Sequence, residues 1–354
     1  MPKVLVSDPI DQVGIDILSQ VATVDVKTTL SPEELIQVLP EYDAIMIRSG
    51  TRLTQDAIEA GKNLKIIGRA GVGVDNVDVP TATRMGIVVV NSPEGNTIAA
   101  AEHALAMMMS LSRFIPAANA SLKGGKWDRK SFTGVEVYKK TLGILGLGKI
   151  GSHVATVAKS LGMRILAYDP FLTTERAEKL GVNLVELEIL LREADYITLH
   201  LPKTKDTAHL INADRIAIMK DGVRIINCAR GGIIDESAIA EAIKSGKVAG
   251  IALDVFENEP LEAESVLREL GANVILTPHL GASTEEAQTN VAVDVAEQIR
   301  DVLLGLPARS AVNIPGLRPD VWQKLKPYLQ LAEMLGNLVG QLAGGRVDNL
   351  NVKL

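Results

Sequence analysis

Short runs of consecutive apolar, mostly β-branched residues alternate with amphipathic stretches almost from the first residue of this chain. A strand that is apolar on both faces has no side to turn to water, so it belongs in a parallel sheet covered by helices above and below. The first series of such runs is Lys3–Asp8, Ala44–Ser49, Leu64–Arg69 and Ile87–Ser92. A second comprises Thr141–Gly148, Met163–Asp169, Tyr196–Leu201, Val223–Ala229, Ala249–Val255 and Ala272–Pro278. Ser31-Pro32-Glu33-Glu34 supplies an N-cap serine, a proline at the first helical position and a capping-box glutamate. Between the series, the alanine- and methionine-rich stretch 98–114 is too long for a strand and predicts a buried helix. A second long helix, capped by Ser283, predicts a return of the chain to the first unit. The expected fold class is α/β, with two doubly wound parallel-sheet domains, as about two domains are expected from a length of 354 residues.

Residues beyond 306 break this pattern. A proline-containing connector over 307–319 leads to a stretch that reads as helical after Pro327, and then to a lone strand over 346–354. One helix and one strand cannot bury a core, so 309–354 is expected to be a partial C-terminal α+β extension, the start of a regulatory-type domain. The net charge of −6 argues against a nucleic-acid partner or an anionic membrane surface. The single cysteine, Cys228, rules out an internal disulfide and a cysteine-based zinc site, and fits a reducing, cytoplasmic location. Charges interrupt the apolar stretches before the roughly 20 residues that a bilayer needs. No metal site is expected.

Gly146-Leu147-Gly148-Lys149-Ile150-Gly151 follows a strand and opens a helix. In such a turn the first glycine allows the sharp bend and the second lets the backbone approach a pyrophosphate. The third allows close packing of helix on strand, and the helix N-terminus presents its positive end to the phosphates. The next strand ends in Asp169, 18 residues beyond the last glycine, where a carboxylate accepts hydrogen bonds from a ribose diol. The same carboxylate repels a 2′-phosphate, so NAD is favoured over NADP. A second glycine cluster, 68–76, has no third glycine in register and reads as a tight loop.

Of five histidines, His103 and His153 lie within helices and read as packing residues, and His209 lies in a surface turn. His200 ends a strand and is expected to line the cofactor site. His279 follows a strand and a proline, where the chain leaves the carboxyl edge at which open parallel sheets bind ligands. Arg230, beside Gly231 and Gly232, and Asp254 and Glu259 follow two further strands. A hydride leaves a carbinol carbon only as the hydroxyl proton is removed, which requires a base with a near-neutral pKa. Imidazole supplies that base, a carboxylate stabilises the imidazolium, and a guanidinium binds a substrate carboxylate bidentately. Arg230, Glu259 and His279 therefore form the candidate catalytic set.

The strings GRAGVGVDNVD, LGILGLGKIG, INCARGGIIDE, ALDVFENEP and TPHLGAST, in unbroken order over about 1–310, resemble the D-2-hydroxyacid dehydrogenases. The resemblance implies a Rossmann-like NAD domain over 94–284 inserted in a flavodoxin-like substrate domain made of 1–93 and 285–308. It implies His279 as acid/base, Glu259 as its partner and Arg230 as the group that holds the substrate's 2-oxygen and carboxylate. Cofactor contacts are implied for Val72, Gly146, Gly148, Lys149, Ile150, Gly151, Asp169, Leu201, Cys228, Ala229, Arg230, Asp254, His279 and Gly281. Arg48 and Arg69, at strand ends, and Asn96 are the candidate substrate contacts. The implied reaction is NAD-dependent oxidation of a phosphorylated 2-hydroxy acid, 3-phospho-D-glycerate, in a homodimer or homotetramer. The basic segment 122–130, with Trp127, is implied to lie near the dimer partner. Alternatives are another member of the same family, acting on glyoxylate, hydroxypyruvate, lactate or 2-hydroxyglutarate, and a nucleotide-sensing, corepressor-like binding protein.

Overall fold

Each of the runs read as strands between residues 3 and 278 forms one, shortened at its ends. The computed structural model describes residues 1–314 and 319–342, and the chain divides into two units, Met1–Gly95 with Gln288–Leu354, and Asn96–Ala287. In the first unit the strands are β1 (Lys3–Val6), β2 (Thr23–Val26), β3 (Ala44–Ile47), β4 (Ile66–Arg69) and β5 (Val88–Asn91). They pair in parallel in the order β2-β1-β3-β4-β5, the flavodoxin-like arrangement. The sequence does not announce β2, because it is an edge strand whose TVDV residues are exposed or half-buried. The Ser31 capping box forms as expected, with Glu34 N–H on Ser31 Oγ and the Glu34 carboxylate on Ser31 N–H.

The helix Glu285–Leu303 completes this unit. Its Val291, Ala292, Val295, Ala296 and Ile299 are buried with Val4, Val6, Met46 and Ile66 of the sheet. Its cap is Thr284, whose Oγ1 accepts from Ala287 N–H at 3.1 Å, one residue later than Ser283. Ser283 instead donates its own N–H to Leu280 O at 2.8 Å, inside the preceding turn. The connector after this helix does more than link. Val312 N–H donates to Val89 O, Val89 N–H donates to Asn313 Oδ1, and Ala311 bridges Val90 in antiparallel fashion. This short pairing covers the open edge of β5, which would otherwise present unpaired backbone groups. The helix Pro319–Leu342 starts before Pro327 rather than after it. Proline's fixed φ suits the first helical position, and the one interior hydrogen bond that Pro327 removes does not end the helix. The strand expected over 346–354 lies outside the described residues.

In the second unit the strands are β6 (Thr141–Leu145), β7 (Arg164–Tyr168), β8 (Asn183–Leu184), β9 (Tyr196–Leu199), β10 (Val223–Asn227), β11 (Val248–Leu253) and β12 (Val274–Leu276). Their order is β12-β11-β10-β9-β6-β7-β8, all parallel, so the chain starts mid-sheet at β6 and reverses its winding between β6 and β9. Successive residues point to opposite faces. Ile225 lies in the core that holds Leu190, Ile239 and Ile251, whereas its neighbour Ile226 lies in the one that holds Met107, Leu142 and Val154. The helix Thr97–Arg113 covers the second of these faces with Ala101, Ala104, Met107, Met108 and Leu111.

Gly68 of β4 shows how closely the returning helix packs in the first unit. A Cβ there would lie 2.6 Å from both Val295 Cγ1 and Ile299 Cδ1. Gly68→Val should cost about 1–3 kcal/mol through overpacking. In urea unfolding, the midpoint should fall with an unchanged slope.

Candidate active site

The glycine turn is built from steric necessity. Gly146 follows β6 with φ +93, a conformation that disfavours a side chain, and its Cβ would meet the His200 carbonyl at 2.6 Å. Gly151, in the first turn of the helix Lys149–Ser160, packs directly on the Gly146 carbonyl, with no room for a Cβ. Gly148 differs: its φ of −68° is ordinary, and a Cβ on it would meet nothing within 4 Å. No side chain caps this helix. Asp169, just past β7, accepts from Leu147 N–H and from Phe171 N–H, each at 2.9 Å, and so clasps the turn to the end of β7. Beside it, Tyr168, Asp169, Leu184, Val185, Glu186 and Ile189 line a cavity of about 590 Å³.

Arg230, Asp254, Glu259 and His279 follow β10, β11 and β12, three neighbouring strands, so one edge of the sheet carries them all. His279 Nδ1 lies 2.7 Å from Glu259 Oε2, and Phe256 N–H donates to Glu259 Oε1 at 3.1 Å. Burial pushes the Glu259 carboxyl up, but the bond and charge of His279 and the Phe256 amide outweigh it, holding the group below the usual glutamate range. Asp254 is fully buried. Its Oδ1 accepts from Thr277 Oγ1 (2.6 Å) and Leu280 N–H (2.7 Å), and its Oδ2 accepts from Gly281 N–H (2.8 Å). Here too burial raises the carboxyl, and His103, Thr277 and Leu280 bring it below the ordinary aspartate value.

Some placements differ from what the sequence suggests. Paired glycines beside Arg230 suggest a close approach of ligand, but they serve the chain itself, since Gly231 lies against the Phe256 carbonyl and Gly232, at φ +74, faces Lys203. His103 is not a packing residue: its Nε2 lies 3.2 Å from Asp254 Oδ1 and 3.3 Å from Thr277 Oγ1. His200 bonds Thr198 Oγ1 at 3.0 Å, and burial lowers it to about 4, so it is neutral at pH 7. His209, with φ +47, pairs with Glu257 at 3.2 Å. Leu201 borders the Gly146 turn. Cys228 follows β10, and burial followed by the Asp254 charge pushes its thiol up. Asn227 is a residue that the motifs do not single out: its Oδ1 accepts from Ala229 N–H and its Nδ2 donates to Arg230 O, pinning the turn that carries Arg230. A buried asparagine inside the run VRIINCA is the available signal.

The model of the D-isomer-specific 2-hydroxyacid dehydrogenase NAD-binding domain matches residues 105–281, half of the chain. The chain belongs to the D-isomer-specific 2-hydroxyacid dehydrogenase family. Among its curated relatives, D-3-phosphoglycerate dehydrogenase of Synechocystis sp. is 72% identical over all of this chain, which spans 64% of that protein's length. The enzyme of the same name from Archaeoglobus fulgidus is 51% identical over 99% of the chain and 66% of its own length. Among solved structures, D-lactate dehydrogenase of Aquifex aeolicus, complexed with NAD and lactic acid, superposes with a TM-score of 0.79 at 29% identity. That alignment covers 89% of this chain and all of the other.

The second unit fits the dinucleotide of a 2-hydroxyacid dehydrogenase. The open space over Gly148 and the helix start that no side chain caps suit a pyrophosphate, and the cavity beside Asp169 joins a carboxylate to an apolar wall, as an adenosine requires. Of the other candidates, Asn96 precedes the helix Thr97–Arg113, and its Oδ1 is buried without a hydrogen-bond partner. In the first unit, Arg48 follows β3 and Arg69 ends the adjacent β4, and Asp8 Oδ2 accepts from Arg48 N–H at 2.6 Å. Val72 O accepts from Asn91 Nδ2 at 2.5 Å. Among the described residues no group of three or more His, Cys, Asp or Glu is arranged to hold a metal, and no helix is long and apolar enough to cross a membrane.

The two glycines should separate experimentally. Gly148→Ala leaves packing untouched but fills the space over the turn, so stability should hold while NAD affinity falls. A lost bond to a charged group is worth about 1.5–3 kcal/mol, or roughly 10- to 150-fold. Gly151→Ala should instead lower the melting temperature, because its methyl meets backbone. Calorimetric titration with NAD and thermal denaturation of both variants measure the contrast.

Proposed function

We propose that this chain oxidises 3-phospho-D-glycerate to 3-phosphohydroxypyruvate with NAD, the first step of phosphorylated L-serine biosynthesis, as a cytoplasmic homodimer or homotetramer. The 2.7 Å contact between His279 and Glu259 carries the reading, because it sets one imidazole up as a base. With the Nδ1 proton directed at Glu259, Nε2 keeps its lone pair and takes the substrate hydroxyl proton. Glu259 then stabilises the imidazolium. Arg230, whose guanidinium donates to Ala229 O at 2.7 Å, binds the substrate carboxylate and polarises the developing carbonyl. Bound NAD supplies the acceptor for the hydride. Asp169 accepts from its ribose diol and turns away a 2′-phosphate. The 72% identity to the Synechocystis enzyme supports the phosphorylated substrate, and in this reading Arg48, Arg69 and Asn96 supply its contacts.

A panel of 2-hydroxy acids assayed with NAD tests the substrate. Turnover should be fastest with 3-phosphoglycerate, and Arg48→Ala or Arg69→Ala should raise KM for it far more than for unphosphorylated glycerate. Faster turnover of lactate, glycolate or 2-hydroxyglutarate assigns a different family substrate, and no turnover of any acid leaves a nucleotide-binding role.

Glu259→Gln tests the pair. Glutamine keeps the size of the side chain but not the charge that stabilises the imidazolium, so kcat should fall by about tenfold or more in both oxidation and ketoacid reduction, with KM for NAD little changed. A folded variant with parental kcat in both directions would show that Glu259 is not the partner of His279.

A further inference from the structure

Three consecutive amides of the segment Thr277–Gly281, which carries His279, are tied to one residue. His279 N–H donates to Asp254 O (2.9 Å), Leu280 N–H to Asp254 Oδ1 (2.7 Å) and Gly281 N–H to Asp254 Oδ2 (2.8 Å). His279 itself has φ +56, a left-handed conformation that a residue with a Cβ adopts only under constraint. Whatever fixes the Asp254 carboxylate therefore fixes the backbone that carries the imidazole. Two side chains do so, Thr277 and His103.

Their hydrogen bonding determines a proton position. Thr277 Oγ1, 2.6 Å from Asp254 Oδ1, commits its proton to the carboxylate. Toward His103 Nε2 it then offers only lone pairs, as does Asp254 Oδ1. His103 must carry a proton on Nε2 and donate it into the notch between the two oxygens. The side chain is only 20% exposed, and Asp254 is completely buried. A carboxylate in that setting keeps one orientation only while donors occupy its lone pairs.

The geometry points to His103 as a positioning residue for His279, acting through Thr277 and Asp254 on the active-site turn. This rests on the acid/base role proposed above. From its place in the helix Thr97–Arg113, His103 braces the carboxylate, and the carboxylate in turn holds the backbone amides around His279. A histidine serving only to fill space would be replaceable by leucine. One serving as a donor would be replaceable by glutamine, whose Nε2 reaches a similar place.

The test compares His103→Leu with His103→Gln in the full chain, using NAD and 3-phosphoglycerate. The leucine variant should lose about tenfold or more in kcat, the scale of one hydrogen bond to a charged group, with KM for NAD within about twofold of the parent. The glutamine variant should recover most of that kcat. Amide hydrogen exchange gives a reading that needs no substrate: Leu280 and Gly281 should exchange about tenfold faster in the leucine variant and near the parental rate in the glutamine variant. If no 2-hydroxy acid is turned over, the proposed reaction fails, and exchange alone still decides the brace. Parental kcat and exchange in the leucine variant would overturn it, as would equal losses in both variants. If the leucine variant does not fold, His103→Asn, whose amide is too short to reach both oxygens, replaces it with the same expected losses.

Discussion

An all-parallel sheet buried on both faces imposes one rule on this chain: each strand must be followed by a crossover, and every strand delivers its carboxyl end to the same edge. In the second unit that rule brings the segments after β6, β7, β10, β11 and β12 to one edge, although they span residues 146 to 281. The glycine turn, Asp169, Arg230, Asp254, Glu259 and His279 are all edge residues for that reason. Moving any of them into a strand would bury its polar group between two apolar layers. The reversal of winding between β6 and β9 opens the crevice at which a ligand meets this edge.

Within that frame, two carboxylates separated by five residues do different work because their surroundings differ. Glu259 is 37% exposed and meets an imidazole that can gain or lose a proton. Asp254 is fully buried and meets donors on both oxygens. Burial raises both groups, and in both the partners prevail, so both are anions at neutral pH. Asp254 in turn helps keep the neighbouring Cys228 a neutral thiol. The site thus holds its charge in fixed places, with His200 neutral beside the glycine turn.

The features legible in the sequence are those written locally. Strands apolar on every residue, the three glycines, the acid at the end of β7 and the Ser31 capping box each depend on neighbours a few positions away. What escapes depends on distant ones. His103 lies in an apolar helix, and its polar partner Thr277 is 174 residues further along, so nothing near His103 marks it as a donor. β2 and β8 are edge strands with little buried surface, and they lack the apolar runs that announce the central ones. The pairing of 311–313 with β5 uses backbone and one asparagine, which no hydrophobic pattern reports. The roles proposed for Arg48, Arg69 and Val72 come from resemblance, since strand-end position alone gives a cation no ligand.

The core-forming part of the helix Glu285–Leu303, Val291 to Ile299, belongs to the first unit but is encoded after the whole of the second. A ribosome therefore releases β1 to β5 long before the side chains that seal one face of their sheet. Until Val291, Val295 and Ile299 emerge, that face, including Val4, Val6 and Met46, stays open to water or to another chain. The second unit, contiguous from Asn96 to Ala287, has no such wait. The earlier-made half of the protein is the later to close, and during synthesis it is the half with the greater need of a chaperone.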